Sequence, residues 1–233
     1  MNWHLVWTPD NLERLLVGDL LRGSPGGFLF TVVMGMIGIF GGTVVGTIVG
    51  LMRNSSSRWL SLPAFIFIHS LRNIPLLILI FWLYFITPVF GFPLSKFSSV
   101  TIALILFTGS YVAEILRGGI LSIPSETLEG ARALGLNRFQ MNIYVILPHA
   151  FYAMIPSLTN RYITAVKNTS LAYLIGFAEL TEIGRELNAR LYTAPIEIYT
   201  TLLLFYFTLN RGVSAVMRSF ENRRTFNKWF AIR

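Results

Sequence analysis

One long uncharged stretch limits what this chain can fold into. No charged residue occurs between Gly26 and Met52, and a helix needs about 20 apolar residues to cross the hydrocarbon core of a bilayer. Four further stretches are apolar and long enough for the same interpretation. The five predicted crossings are residues 28–52, 73–90, 98–121, 146–166 and 196–218. The sequence therefore predicts an all-α membrane protein with about five transmembrane helices.

The composition agrees with this fold class and excludes several functions. Charged residues make up 13% of the chain, against about 25% in soluble domains. The chain contains no cysteine, which excludes disulfides and thiolate metal sites. Its net charge of +8 fits basic cytoplasmic loops better than nucleic-acid binding, because no run of five basic residues occurs. Its histidines are scattered, so no metal site and no catalytic constellation is predicted.

The distribution of basic residues predicts the orientation of the chain. Placing the N-terminus outside and the C-terminus in the cytoplasm puts most Lys and Arg residues on the cytoplasmic side, as the positive-inside rule requires. We expect three parts: an N-terminal amphipathic segment (1–26), a transmembrane domain (27–220) and a basic cytoplasmic tail (221–233).

Glycine recurs every fourth residue in the first predicted crossing, at Gly38, Gly42, Gly46 and Gly50. Such GxxxG steps give one helix face on which another backbone can approach closely. The alternative is a flexible glycine-rich span without a specific partner helix.

Three segments fit no simple crossing. Residues 10–22 alternate charge and leucine at helical spacing, which predicts an amphipathic interfacial helix. Residues 57–72 are only moderately apolar, and Pro75 after them favours a helix start near that point. Residues 168–190 are too polar for lipid and are expected to form short helices lining protein or water. Within them, Glu179, Glu182 and Glu186 share one helix face, which favours a solvated or salt-bridged face over a cation site.

A polar segment between the third and fourth crossings has helix signals at both ends. Ser125 and Glu126 suit a helix start, and Gly135 suits a C-terminal cap. We expect a short helix with a small, smooth face. It is either a surface that docks into a groove on another protein or a plain cytoplasmic connector.

The same segment carries a recognisable motif. Glu129–Gly130–Ala131, Gly135 and the run from Val145 to Pro148 resemble the EAA signature of ABC-importer permeases, with Gly130 and Val145 as departures from it. Further stretches are similar to the polar amino-acid uptake branch of that family: Arg72 to Leu77, Ala113 to Ile120, Lys167 to Leu171, and Glu179 to Thr181. The resemblance covers about residues 28 to 220.

The resemblance implies a type I ABC-importer permease fold in a bacterial inner membrane. It also implies a second permease subunit (an identical copy or a paralogue), two ATP-binding subunits and a periplasmic or surface substrate-binding protein. The 125–137 loop would be the coupling helix that contacts the ATPase, and Pro148 would fix the start of the fourth crossing. Its contact residues would be Glu129, Gly130, Ala131 and Gly135. ATP and Mg would be bound by the partner, since no glycine here is followed by the lysine of a P-loop.

Charged residues inside predicted crossings are candidates for function, because they are costly at membrane depth. Glu114 and Arg117 are three residues apart, which favours a mutual ion pair. Arg161 stands where the family often has an acidic residue, and a guanidinium can bind a carboxylate through two parallel hydrogen bonds. This favours an acidic or neutral polar amino acid over a basic one. The alternative for Arg161 is a salt bridge to Glu114 or to the partner permease.

The polar run from Lys167 to Ser170 is a second candidate for substrate contact. A helix interrupted at membrane depth exposes backbone N–H groups and hydroxyls that suit a carboxylate, although a structural turn explains the same residues. The complete set of predicted substrate contacts is Arg161, Asn160, Thr169, Ser170, Tyr111 and Glu114. Two other functions remain as alternatives: a membrane channel or assembly subunit without ATP coupling, and an intramembrane enzyme, for which no catalytic constellation exists.

Overall fold

A computed structural model describes residues 2–19 and 23–222 of the chain. The predicted all-α class is confirmed, since the described strands are a two-residue pair, β1 (Gly18–Asp19) with β2 (Ser24–Pro25). The α-helices are α1 (Trp3–Val6), α2 (Pro9–Val17), α3 (Gly27–Arg53), α4 (Arg58–Asn73), α5 (Leu76–Phe81), α6 (Lys96–Leu121), α7 (Ser125–Ala133), α8 (Arg138–Met141), α9 (Leu147–Asn168), α10 (Leu180–Leu191) and α11 (Pro195–Asn222). A π-helix (Trp82–Ile86) and a 3-10 helix (Thr87–Phe90) extend α5, a π-helix (Asn142–Ile146) joins α8 to α9, and a 3-10 helix (Thr169–Ile175) follows α9.

Among the described residues, three helical stretches are long and apolar enough to cross a membrane: Gly27–Arg53, Lys96–Leu121 and Phe139–Ile175. A fourth crossing results if α4 and Leu76–Phe90 are counted as one span, bent by 105°. The fifth predicted crossing lies on α11, which has 28 residues, but Asn210 and Arg211 lower its hydropathy.

The 105° bend between α4 and Leu76–Phe90 explains why residues 57–72 do not resemble a complete crossing. They form most of α4, which passes the length and hydropathy test for a crossing only together with the helical segment after the bend. Ile74 has an extended backbone (φ −99°, ψ 130°), as the residue before a proline prefers. A new helix then begins behind Pro75, so the predicted helix start is confirmed.

The glycines of α3 face α6 at backbone distance. A Cβ atom added to Gly42 would lie 2.6 Å from the Cβ of Thr108, and one on Gly46 would lie 2.7 Å from the carbonyl oxygen of Gly109. No larger side chain fits at such distances without movement of the helices. The interpretation as a close helix–helix face is therefore confirmed, and the flexible span is excluded.

The N-terminal amphipathic helix is shorter than the predicted range 10–22, and it packs against other helices of this chain. Helix α2 ends at Val17, where the chain turns into β1; residues 20–22 of the predicted helix lie outside the described residues. Leu15 is fully buried in a cluster with Leu180 and Ile198. The apolar face of α2 thus contacts α10 and α11.

Residues 223–233, most of the predicted cytoplasmic tail, also lie outside the described residues.

Candidate anion site within the membrane span

Arg161, on α9, is buried against α6 with only 7% of its surface exposed. Its guanidinium carbon lies 4.9 Å from the ring centre of Phe107 and 4.3 Å from that of Tyr111. Its Nη2 atom donates a hydrogen bond of 3.2 Å to the Thr108 hydroxyl. These three α6 residues occupy adjacent turns, so α6 forms one wall around the guanidinium.

The guanidinium of Arg161 has no anion beside it in the part of the chain that the structure describes. No carboxylate of those residues lies within 4.0 Å of it, and its Nε atom has no hydrogen-bond partner. The alternative of a salt bridge between Arg161 and Glu114 is not found among the described residues, because Glu114 pairs with Arg117 and faces Arg72. The other alternative, a salt bridge from Arg161 to a second permease subunit, stays a prediction.

Glu114 forms the predicted ion pair with Arg117. Its Oε1 atom accepts hydrogen bonds from Arg117 Nη2 at 2.6 Å and Nε at 3.0 Å. The sequence did not indicate a second cation: Nη1 of Arg72, at the end of α4, lies 3.8 Å from Glu114 Oε2. The guanidinium carbon of Arg72 also lies 5.2 Å from the ring centre of Tyr111. Tyr111 therefore contacts both Arg161 and Arg72, and we call Arg72, Tyr111, Glu114 and Arg161 the arginine cluster.

The other predicted substrate contacts do not join this cluster through hydrogen bonds among the described residues. Asn160 is exposed. Thr169 is fully buried and its hydroxyl donates to the Val166 carbonyl at 2.8 Å. The Ser170 hydroxyl donates to the Lys167 carbonyl at 2.7 Å. The helix continues here as a 3-10 segment, so both hydroxyls serve the local backbone. Their role as substrate contacts stays a prediction.

Glu179 is a buried carboxylate outside the arginine cluster. The sequence predicted a solvated or salt-bridged position for it. Glu179, the N-cap of α10, is fully buried. It accepts hydrogen bonds from Tyr206 at 2.9 Å, Thr31 at 3.3 Å and the N–H of Glu182 at 3.0 Å. Burial raises its pKa to about 7, and hydrogen bonds from Thr181, Tyr206 and the N–H of Glu182 act in the opposite direction. Glu182 does form the expected salt bridge, with Arg185 at 2.7 Å, but it is buried as well.

The predicted coupling helix is α7, which is followed by Gly135 in the left-handed region (φ +75°). Glu129 and Gly130 are exposed, and nothing lies within 4 Å of a Cβ built on Gly130. Ala131 differs, since only 6% of it is exposed. The exposed part of the motif is therefore available to another protein, whereas Ala131 packs within this chain.

Pro148 is the second residue of α9, within a longer helical stretch. The stretch begins at Phe139, earlier than the predicted start at residue 146. The π-helix Asn142–Ile146 directly precedes α9, and such wider turns accommodate helix irregularities of the kind that a proline causes. Pro148 thus follows a local change in helix geometry.

Comparisons with known proteins agree with this architecture. The family described as "Binding-protein-dependent transport system inner membrane component" matches residues 15–226. The glutamine transport system permease protein GlnP of Escherichia coli is 34% identical over 95% of this chain and 97% of that protein. The L-cystine transport system permease protein TcyB of Bacillus subtilis is 32% identical over 92% and 96%. A crystal structure of an amino acid ABC transporter with histidines superposes with a TM-score of 0.77 and 29% identity, over 84% of this chain and 91% of that chain. The chain therefore belongs to the family of inner membrane components of binding-protein-dependent transport systems.

Proposed function

We propose that this chain is the permease of an ATP-driven importer for polar amino acids, and that it favours acidic or neutral substrates over basic ones. The relatives named for glutamine and L-cystine transport support amino acids as the substrate class. The charge preference is supported by Arg161.

The single observation that carries the charge preference is that the buried guanidinium of Arg161 has no anion beside it among the described residues. A cation at membrane depth costs at least about 2.5 kcal/mol on insertion scales. The rings of Phe107 and Tyr111 compensate part of this cost through cation–π contact. The free Nε donor still lacks an acceptor. A side-chain carboxylate of the substrate would supply both the acceptor and the opposite charge, whereas a basic side chain would be repelled.

The same proposal includes the partners. A second permease subunit, two ATP-binding subunits that hold ATP and Mg, and a substrate-binding protein would complete the importer. Helix α7 would contact an ATP-binding subunit through Glu129 and Gly130, with Gly135 ending the helix. In this arrangement the N-terminus is external and the C-terminus cytoplasmic, which follows from the basic residues alone.

Competition uptake tests the role of Arg161. Arg161→Glu should lose acidic amino acids as competitors and admit basic ones, because the charge that faces the substrate is reversed. Arg161→Lys should weaken the uptake of acidic amino acids, since an ammonium cannot form the two parallel hydrogen bonds of a guanidinium. Arg58→Glu, the same change at an exposed position, is the matched control and should keep the wild-type order.

An unchanged order of preference in Arg161→Glu would contradict the proposal. The competing explanation, a salt bridge between Arg161 and the second permease subunit, predicts poorer assembly of the complex with that order unchanged.

A further inference from the structure

The arginine cluster contains a second guanidinium, that of Arg72, for which no role was predicted from the sequence. Arg72 lies in the last turn of α4, immediately before the 105° bend that leads to Leu76–Phe90. Its guanidinium carbon is 5.2 Å from the ring centre of Tyr111, and that of Arg161 is 4.3 Å from the same point. The two guanidinium groups are therefore no farther apart than the sum of these distances.

The two carboxylate oxygen atoms of Glu114 differ in the hydrogen bonds that they accept. Oε1 accepts both hydrogen bonds from Arg117. Oε2 faces Arg72 Nη1 at 3.8 Å, which is too long for a hydrogen bond. The side chains of Arg72 and Glu114 are 35% and 26% exposed. A small molecule can therefore reach an adjacent donor and acceptor of opposite charge that hold each other only weakly.

We propose that Arg72 and Glu114 bind the head group of the transported amino acid. The α-carboxylate accepts hydrogen bonds from Arg72, and the α-ammonium donates to Oε2 of Glu114. One long ion pair is thereby replaced by two short charge-assisted contacts. This inference rests on the proposed function, in which Arg161 binds the side chain of the substrate.

Together the three charged groups define a substrate class. The head group lies at Arg72 and Glu114, and a second carboxylate reaches Arg161, whose guanidinium contacts the same Tyr111 ring. Because both guanidinium groups contact a single ring, the side chain between the two carboxylates must be short. The substrate is thus an acidic amino acid such as L-glutamate or L-aspartate.

Two isomeric amides of L-glutamate separate the roles of the two arginines. L-glutamine lacks the charge of the side-chain carboxylate, and L-isoglutamine lacks that of the α-carboxylate. The experiment measures displacement of labelled L-glutamate from the purified complex of permease and ATP-binding subunits, without the substrate-binding protein, whose own selectivity would otherwise contribute.

Each variant should lose one preference and keep the other. Arg72→Gln should reduce the preference for L-glutamate over L-isoglutamine about ten-fold or more, because a charge-assisted contact is lost, with the preference over L-glutamine unchanged. Arg161→Gln should do the reverse. Glu114→Gln should reduce the preference for L-glutamate over N-acetyl-L-glutamate, which lacks the ammonium group.

Arg53→Gln is the matched control. Arg53 also lies over an aromatic ring, 5.2 Å from the centre of Phe65, and donates to Ser61 at 2.8 Å. The control removes one guanidinium from a similar contact outside the arginine cluster and should leave all three preferences at wild-type values. Ratios of affinities do not depend on how much complex assembles. If Arg72→Gln does not assemble, Arg72→Lys, which keeps the charge, should lower the same preference by a smaller factor.

The possible failures are distinguishable. A wild-type ratio of L-glutamate to L-isoglutamine in the Arg72 variants overturns the head-group assignment and leaves the role of Arg161 intact. A wild-type ratio of L-glutamate to L-glutamine in Arg161→Gln overturns the proposed function of Arg161. Absence of displaceable L-glutamate binding to the wild-type complex overturns both.

Discussion

Two buried charges of opposite sign show how differently one chain can accommodate an ion. Glu179 has no cation within 4.0 Å among the described residues, yet three neutral donors from three helices hold its carboxylate. Within the described part of the chain, Arg161 makes one hydrogen bond, contacts two aromatic rings and has an Nε donor without an acceptor. A charge whose hydrogen bonds are supplied by the protein is typical of a structural role. One with a donor left over is suited to a ligand.

The largest expected effect is the loss of stability when Glu179 is removed. Glu179→Ala would leave the N–H of Glu182 without its acceptor, and an unpaired buried donor costs about 1–3 kcal/mol. The hydroxyls of Thr31 and Tyr206 would lose their bonds to the carboxylate and keep Gly27 O at 3.4 Å and Thr181 Oγ1 at 3.0 Å. We expect the midpoint of thermal unfolding of the purified complex to fall strongly. Glu179→Gln, which keeps an acceptor oxygen, is the control and should fall much less. Equal midpoints for both variants would show that the hydrogen bonds do not stabilise this region.

At Arg161 we expect the opposite result: removal of the charge should preserve stability and reduce transport. Arg161→Met removes a buried cation and keeps an apolar chain of similar length, so the thermal midpoint should stay equal or rise, as replacement of poorly compensated buried charges often does. Uptake of acidic amino acids should fall about ten-fold or more. A large loss of stability would indicate that an anion of another subunit already occupies the guanidinium, and the contrast with Glu179 would disappear.

The smallest effect is a dependence of stability on pH. The pKa of Glu179 is about 7 in the folded chain, above the ordinary 4.5, because burial disfavours the charged form. The associated stabilisation is therefore fully present below pH 4.5 and is lost as the pH rises through 7. We expect the thermal midpoint to fall by a few degrees between pH 5 and pH 8. The fall should be smaller in Glu179→Gln, whose amide does not titrate in this range, and an equal fall in both would assign it to other groups.

Sequence reasoning succeeded where the contacts are local or periodic. The glycine spacing of α3, the Glu114–Arg117 pair and the helix start at Pro75 all depend on residues within a few positions of each other. The same is true of Gly135 after α7.

The contacts that complete the candidate site depend on tertiary structure, and the sequence did not reveal them. Arg72 reaches Tyr111 and Glu114 because α4 packs on α6 and ends at the bend, and neither its residue type nor its neighbours indicate this. Glu179 and Thr31 are 148 positions apart in the chain, so the charge pattern of α10 could not show that the carboxylate is buried. The sequence therefore identified Arg161, Tyr111 and Glu114 as candidates but left out the residue that links them.

The glycine face between α3 and α6 has a consequence for motion. At Gly42 and Gly46 α3 has no side chains, so the side chains of Thr108 and Val112 on α6 pack directly against its backbone. No α3 side chains are there to change rotamer if the helices slide, so α3 and α6 are held as a single strut, and one wall of the arginine cluster is fixed to it. Any alternation of access between the two sides of the membrane then falls to the elements around that strut, among which the 105° bend after Asn73 offers a ready hinge.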